Sequence, residues 1–349
     1  MPSEDGARRC FHPLKAVLPV LSLVLFLAPL SPSTADAAAL AGWGAEWPNT
    51  DFSRHTVPLR EIESGGVPKD GISSIDQPRF TGLQALAAPA SLAAPYPLDL
   101  GEEEPVIAFE HAGDARAYPV RILMRHEIVN DVVGGLPVTV TYCPLCNTSI
   151  VFDRNSGGRT LDFGVSGKLR NSDLVMYDRQ TESWWQQFTG EAIVGELAGT
   201  KLRILPSRLE SLTRFRDRYP NGKILLPVFG NPGFYVNPYR HYDSRRRPLF
   251  YDGALPRGIR PMARIVAVED RAWTLELLAE EKRIEDGGIV LTWSPGQNSA
   301  LAEEDISESD HVGNVVVQRR TENGLEDIPY TVTFAFVFHA FHPRAEIRR

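Results

Sequence analysis

Two cysteines three positions apart are the residues of this chain best able to do chemistry. Cys143 and Cys146 enclose a Pro-Leu pair and are followed by Asn147. Cysteines at this spacing can bind a metal ion, exchange electrons as a dithiol, or close a disulfide across a turn. An oxidising compartment permits the disulfide without any further residue. All three chemistries therefore stay open on this motif alone.

The flanking residues favour a turn between two strands. Apolar and polar side chains alternate over residues 138–142 and again over residues 149–153, which is typical of strands. A thioredoxin-like pair would begin a helix, and the β-branched stretch after Cys146 is poorly suited to one. A Cys-Pro-x-Cys turn between strands resembles the metal-binding knuckles of rubredoxins and zinc ribbons. Asn147 suits the left-handed conformation that ends such a turn.

Two thiolates do not complete a tetrahedral site, so the metal hypothesis needs other ligands. His126 precedes the strand that leads to Cys143 and is the expected third ligand, with a purely structural histidine as the alternative. His111, His241 and His311 are weaker candidates. Two sulfurs with one or two imidazoles suit copper(I) or zinc(II), and soft thiolate ligands shift the expectation toward copper.

The polar segment 163–187 is expected to surround the cysteines. Its Gly, Ser and Asn residues suit tight turns, and its charged residues could pair with one another or bind an anionic ligand. The alternative is a hydrogen-bonded buried loop that only stabilises the fold. The expected ligand-binding wall consists of Ser166, Lys168, Arg170, Asn171, Tyr177, Trp184 and Gln186.

Comparison of the chain with itself indicates an internal repeat. Residues 115–123 align with 270–278, and residues 140–147 align with 291–298, where both thiols are replaced. The prediction is a β-rich α+β fold made of two diverged copies of a mostly antiparallel β module with a few short helices. The expected divisions are a signal peptide over 1–37, an N-terminal extension and linker over 38–97, a first module with the cysteine turn over 98–235, and a second, degenerate module over 236–349.

The N-terminus has the three parts of a cleaved export signal. Arg8, Arg9 and Lys15 are followed by an apolar run over 16–30 and by small residues at 35–37. We expect a periplasmic or extracellular protein with no membrane span after cleavage. The formal net charge of −7 argues against nucleic acid as a partner.

Several motifs occur together in an order that resembles a known family. They are segments 65–72, 75–80, 117–119, 126–131, 142–146 and 163–186. The chain resembles an exported bacterial and archaeal family catalogued as domain of unknown function 3179. That resemblance implies export and supports the importance of these residues, and it implies no activity.

The leading functional hypothesis is an extracytoplasmic protein that binds copper or zinc through Cys143, Cys146 and His126. If the protein is an enzyme, redox chemistry is expected rather than hydrolysis, with a small molecule or a redox partner as its counterpart. The rival hypothesis is a non-catalytic binding or structural module with a disulfide between Cys143 and Cys146.

Overall fold

The β-strands dominate the computed structural model, which describes residues 42–87 and 98–349. The predicted signal peptide and part of the predicted linker lie outside the described residues. In chain order the strands are β1 (Ile62–Ser64), β2 (Phe80–Gly82), β3 (Pro105–His111), β4 (Asp114–Pro119), β5 (Ile128–Val133), β6 (Leu136–Cys143), β7 (Thr148–Asp153), β8 (Asn155–Ser156), β9 (Arg159–Thr160), β10 (Phe163–Arg170), β11 (Asp173–Asp178), β12 (Trp184–Gln186), β13 (Glu191–Val194), β14 (Ile204–Leu205), β15 (Arg208–Ser211), β16 (Lys223–Leu225), β17 (Arg264–Val268), β18 (Arg271–Thr274), β19 (Arg283–Asp286), β20 (Ile289–Ser294), β21 (Asn314–Thr321), β22 (Gly324–Asp327), β23 (Thr331–Phe334) and β24 (Ile347–Arg348).

The described helices are short. The α-helices are α1 (Val120–His126), α2 (Leu212–Arg218), α3 (Leu275–Glu281) and α4 (Ala335–Phe341), and 3-10 turns cover Leu59–Glu61, Leu83–Ala87, Pro232–Tyr235 and Ile306–Glu308. Side-chain caps begin two of the α-helices, because Ser211 accepts from the backbone of α2 and Thr274 from that of α3. No helix in the described ranges is both long enough and apolar enough to cross a membrane.

The larger sheets number five and form the blades of a β-propeller. The first blade has the strand order β1-β10-β11-β12-β13, and the second has β14-β7-β6-β5. The third has β15-β3-β4-β16-β2, the fourth β23-β17-β18-β24, and the fifth β19-β20-β21-β22. Pairing is antiparallel except where β16 joins β4 and β24 joins β18.

This architecture corrects the predicted fold class. The prediction of two diverged copies is wrong: the chain is a mostly antiparallel β-propeller with only four α-helices in its described part. Segments 115–123 and 270–278 each end a hairpin and begin a helix, but they belong to two of five blades. One hydrophobic cluster includes buried residues on both sides of the predicted boundary at 235/236, from Ile75 to Val337.

The segment expected to be an extension contributes strands and core packing. β1 pairs with β10, and β2 pairs with β16. Trp47 is buried against Trp184 with ring centroids 5.2 Å apart. The described part of this segment therefore supplies an edge strand to the first blade and an edge strand to the third blade.

Candidate metal centre

The cysteine turn joins β6 to β7 in the second blade, as the sequence predicts. Cys143 is the last residue of β6 and pairs with Thr148, the first residue of β7. The backbone N–H of Cys146 donates to the Cys143 carbonyl at 3.2 Å, which closes the turn. Asn147 has the predicted left-handed backbone, with φ of +54°, and its side chain accepts a hydrogen bond from the Tyr142 hydroxyl at 3.1 Å.

A hairpin of the first blade lies against this turn. Asn171 and Ser172 connect β10 to β11, and both have positive φ, at 56° and 62°. Two-residue hairpin turns of this kind require the left-handed conformation at both central positions, and asparagine tolerates it well. The turn places the Ser172 carbonyl 3.2 Å from the Cys146 sulfur and makes Asp173 the first residue of β11.

The two blades bring two thiols and one carboxyl together. One ligand atom from each of Cys143, Cys146 and Asp173 lies within 4.8 Å of the others. The three residues are 2 %, 0 % and 0 % exposed. Sulfur and carboxylate oxygen are both ligands that a zinc ion accepts in proteins. The geometry can therefore supply three ligands to one ion.

Only half of the Asp173 carboxylate is satisfied by the protein. Its Oδ2 accepts hydrogen bonds from the Gln186 amide at 2.6 Å and from the Phe188 backbone at 2.9 Å. Its Oδ1 is buried and has no partner with full hydrogen-bond geometry among the described residues, while the adjacent Cys146 thiol interacts with the carboxylate and lowers its pKa. Burial raises the pKa of the Asp173 carboxyl to about 6, against the lowering effect of these hydrogen bonds.

The two thiols are free and deeply buried. Burial raises the pKa of both Cys143 and Cys146, and the negative charge of Asp173 adds to the rise. Without a cation beside them, the thiols therefore remain protonated near neutral pH. A protonated thiol is a poor nucleophile, whereas a bound metal ion would favour the thiolate.

A second carboxyl borders the cluster. Glu127 follows α1 and has a positive φ of +57°. This backbone conformation is energetically less favourable for glutamate than for glycine. Burial raises the pKa of Glu127 to about 8, and the charge of Asp173 contributes to that rise. Glu127 in turn raises the pKa of Cys143. The site thus concentrates acidic groups that a cation would stabilise.

The fourth blade holds the cysteine turn from the other side. The Thr333 hydroxyl donates to the Cys146 carbonyl at 2.8 Å, and the Phe334 backbone N–H donates to the same carbonyl at 3.3 Å. The Tyr242 hydroxyl donates to the Leu145 carbonyl at 3.0 Å. The backbone of the turn is therefore fixed, which preorganises its sulfurs.

The structure does not bring His126 to the thiols. Its Nδ1 lies 2.8 Å from the Ser73 carbonyl and its Nε2 lies 3.4 Å from the Tyr235 hydroxyl. Its ring stacks on Phe229, with centroids 5.9 Å apart. Burial lowers the pKa of His126, so its ring is neutral near pH 7. Asp173, and not His126, is the third residue of the cluster around the thiols.

The predicted wall divides into two groups. Gln186 contacts Asp173, Asn171 is in the hairpin turn, and Arg170 lies 3.3 Å from the Gln186 amide oxygen. These three lie beside the cluster.

The other wall residues make contacts away from the cysteines. Ser166 donates to the Val175 carbonyl, Lys168 pairs with Glu46 at 2.9 Å, Tyr177 donates to Asp70 at 2.6 Å, and Trp184 packs on Trp43 and Trp47.

The sequence pattern does not single out Asp173 or Glu127. Asp173 follows an Asn-Ser pair between two strands, and such a pair is a signal for a tight hairpin turn. That signal predicts the hairpin turn, but it does not predict which blade the turn contacts. Glu127 carried no signal beyond its position next to His126.

The family assignment follows from the extent of the sequence match. The family profile described as "Protein of unknown function (DUF3179)" matches residues 69–345. The chain belongs to this DUF3179 family. The match includes the cysteine turn, the β10–β11 hairpin and Glu127, so the whole cluster lies inside the DUF3179 region. No curated protein and no solved structure matches the chain.

Proposed function

We propose that this chain is an exported metal-binding protein whose ion is held by Cys143, Cys146 and Asp173. The observation that carries the proposal is the convergence of two buried thiols and one buried carboxylate from two different blades. Burial of a carboxylate without an opposite charge beside it costs free energy. A bound cation removes that cost.

The ligand set favours zinc(II) over copper(I). Copper(I) prefers soft sulfur ligands, whereas zinc(II) accepts sulfur together with carboxylate oxygen. Asp173 in place of the predicted imidazole therefore shifts the expectation from copper toward zinc. Three protein ligands also leave a fourth tetrahedral position, as in catalytic zinc sites.

Burial supports metal binding over exchange with a redox protein. Thiol–disulfide exchange requires a thiolate that a partner can reach. Cys146 is 0 % exposed and Cys143 is 2 % exposed. Both are free, so the disulfide-closed module also lacks support in this structure.

The exported location remains part of the proposal. It rests on the basic, apolar and small-residue parts of segment 1–37, which lies outside the described residues.

Metal stoichiometry tests the proposal directly. The full chain is expressed with its own N-terminus, purified from the periplasm without chelator or affinity metal, and measured by elemental mass spectrometry. We expect about one zinc per chain, lost in Cys143→Ser, Cys146→Ser and Asp173→Ala.

His126→Ala is the matched control and should keep the ion. A metal-free wild type that takes up neither zinc nor copper(I) after reduction would refute the proposal. Loss of metal in His126→Ala but not in Asp173→Ala would show that His126, and not Asp173, is the third metal ligand.

A further inference from the structure

The connection between β16 and β17 is long and irregular. It covers residues 226–263 and contains one short 3-10 turn, Pro232–Tyr235. Connections of this length without regular structure are uncommon in folded domains and usually have a function of their own. The outer face of this connection therefore needs an explanation besides the joining of two blades.

The connection is basic although the chain is acidic. It contains six arginines and two aspartates, a formal charge of +4, whereas the whole chain has −7. The arginines are Arg240, Arg245, Arg246, Arg247, Arg257 and Arg260. A local charge opposite in sign to the net charge indicates a binding surface for an anion.

Three of these arginines are consecutive and unpaired. Arg245, Arg246 and Arg247 are exposed, and within residues 42–87 and 98–349 their side chains have no hydrogen-bond or ion-pair partner. Arg240 differs, because it pairs with Glu304 at 3.2 Å. Asp243 does not neutralise the run, since it pairs with Arg264 at 2.7 Å.

Exposed apolar side chains follow the arginines directly. Leu249 is 37 % exposed and Phe250 is 42 % exposed, after the buried Pro248. Phe250 also has φ of +51°, which is rare for a bulky residue. The base of the loop is fixed, because the Tyr242 carbonyl accepts from the Arg245 backbone at 3.2 Å and its hydroxyl accepts from the Leu249 backbone at 3.4 Å.

We propose that residues 245–250 form a docking loop for an anionic phospholipid surface. The three guanidinium groups bind lipid phosphates, and Leu249 and Phe250 enter the boundary between headgroups and acyl chains. A soluble polyanion would use the arginines and leave both apolar side chains in water. The lipid surface is the occupant that satisfies both halves of the loop.

The loop also adjoins the cysteine turn. Tyr242, which fixes the loop base, donates its hydroxyl proton to the Leu145 carbonyl at 3.0 Å. Docking would hold this side of the protein at the membrane surface. The docking proposal does not depend on whether a metal is bound.

Vesicle binding tests the inference. The protein purified from the periplasm is mixed with phosphatidylcholine vesicles that contain or lack phosphatidylglycerol, at low and high salt, and the bound fraction is measured by flotation. We expect binding to the anionic vesicles only, weakened by salt. Replacing Arg245, Arg246 and Arg247 by Gln should weaken binding about 100-fold. Leu249→Ser with Phe250→Ser should weaken it about 10-fold.

The control replaces three exposed arginines elsewhere, Arg159, Arg283 and Arg320, by Gln and should bind like the wild type. The thermal unfolding midpoint of each variant verifies folding. No binding of the wild type to anionic vesicles overturns the proposal. An equal loss of vesicle binding in the control variant also overturns it. So does vesicle binding that is unchanged by the Leu249 and Phe250 substitutions, together with equally strong binding to soluble heparin.

Discussion

The Asp173 carboxylate lies within 4.8 Å of the Cys146 sulfur, although the two residues belong to different blades. This contact exists only when the first and second blades are docked. A metal ion bound there would therefore link two blades, and its binding free energy would contribute to the stability of their interface.

Asp173→Asn should separate metal binding from folding. It keeps the size of the side chain but removes the charge. We expect zinc affinity to fall at least about 100-fold, because loss of a ligand should lower affinity more than loss of a residue that only hydrogen-bonds to a ligand. Affinity is measured by competition with a chelator. Asp178→Asn is the control, because Asp178 is buried in the same strand but binds Thr181 and Trp185. Equal affinity losses in both variants would speak against a ligand role for Asp173.

Glu127 should make the metal-free protein less stable as the pH rises. Its pKa is about 8 in the folded protein against an ordinary 4.5. Between pH 4.5 and pH 8 the carboxyl is therefore protonated in the folded state and ionised in the unfolded state. Stability is then full below about pH 4.5 and falls progressively up to about pH 8.

Glu127→Gln mimics the protonated form. It should flatten this dependence and stabilise the metal-free protein at pH 7.5 by on the order of 1–3 kcal/mol. Urea unfolding at several pH values measures both effects. An unchanged pH slope in the variant would show that another group is responsible.

Zinc affinity should increase steeply with pH. Both thiols are protonated in the metal-free site because burial raises the pKa of each, and zinc binding must displace those protons. We expect log K to rise by about 2 per pH unit near neutrality. Below about pH 6, where Asp173 also becomes protonated, the slope should steepen. Calorimetry in buffers of different ionisation enthalpy counts the released protons, and a count near zero would contradict buried thiols as ligands.

Two threonines of β23 offer a matched test of the turn anchor. Thr333 donates to the Cys146 carbonyl, whereas the buried Thr331 hydroxyl has no partner among the described residues. Thr333→Val should destabilise the protein by about 1 kcal/mol, and Thr331→Val should be neutral or stabilising. Denaturant midpoints of both variants decide this. The reverse order of stabilities would show that the Thr333 bond does not anchor the turn.

Local structure near the cysteines followed from the sequence. Alternation over 138–142 and 149–153 predicts β6 and β7, and the left-handed Asn147 is confirmed. The few short helices expected from the sequence occur as α1, α2, α3 and α4 in the described residues. These features depend on neighbours in sequence, which patterns report well.

Features that depend on docking between blades could not be predicted. Self-similarity of two segments describes local units and does not say how many blades surround them. The end of α1 decides which of two neighbouring side chains acts on the thiols. Glu127 adopts the left-handed conformation there, and its charge, rather than the His126 ring, acts on Cys143. Asp173 reaches the site through a contact that no sequence spacing encodes.

The most direct test of the metal centre is X-ray absorption at the zinc edge of the purified full chain. The proposal predicts two sulfur neighbours at about 2.3 Å and oxygen neighbours at about 2.0 Å, with one sulfur lost in Cys146→Ser. A shell of nitrogen and oxygen alone, unchanged by that substitution, would contradict the assignment of Cys143 and Cys146 as ligands.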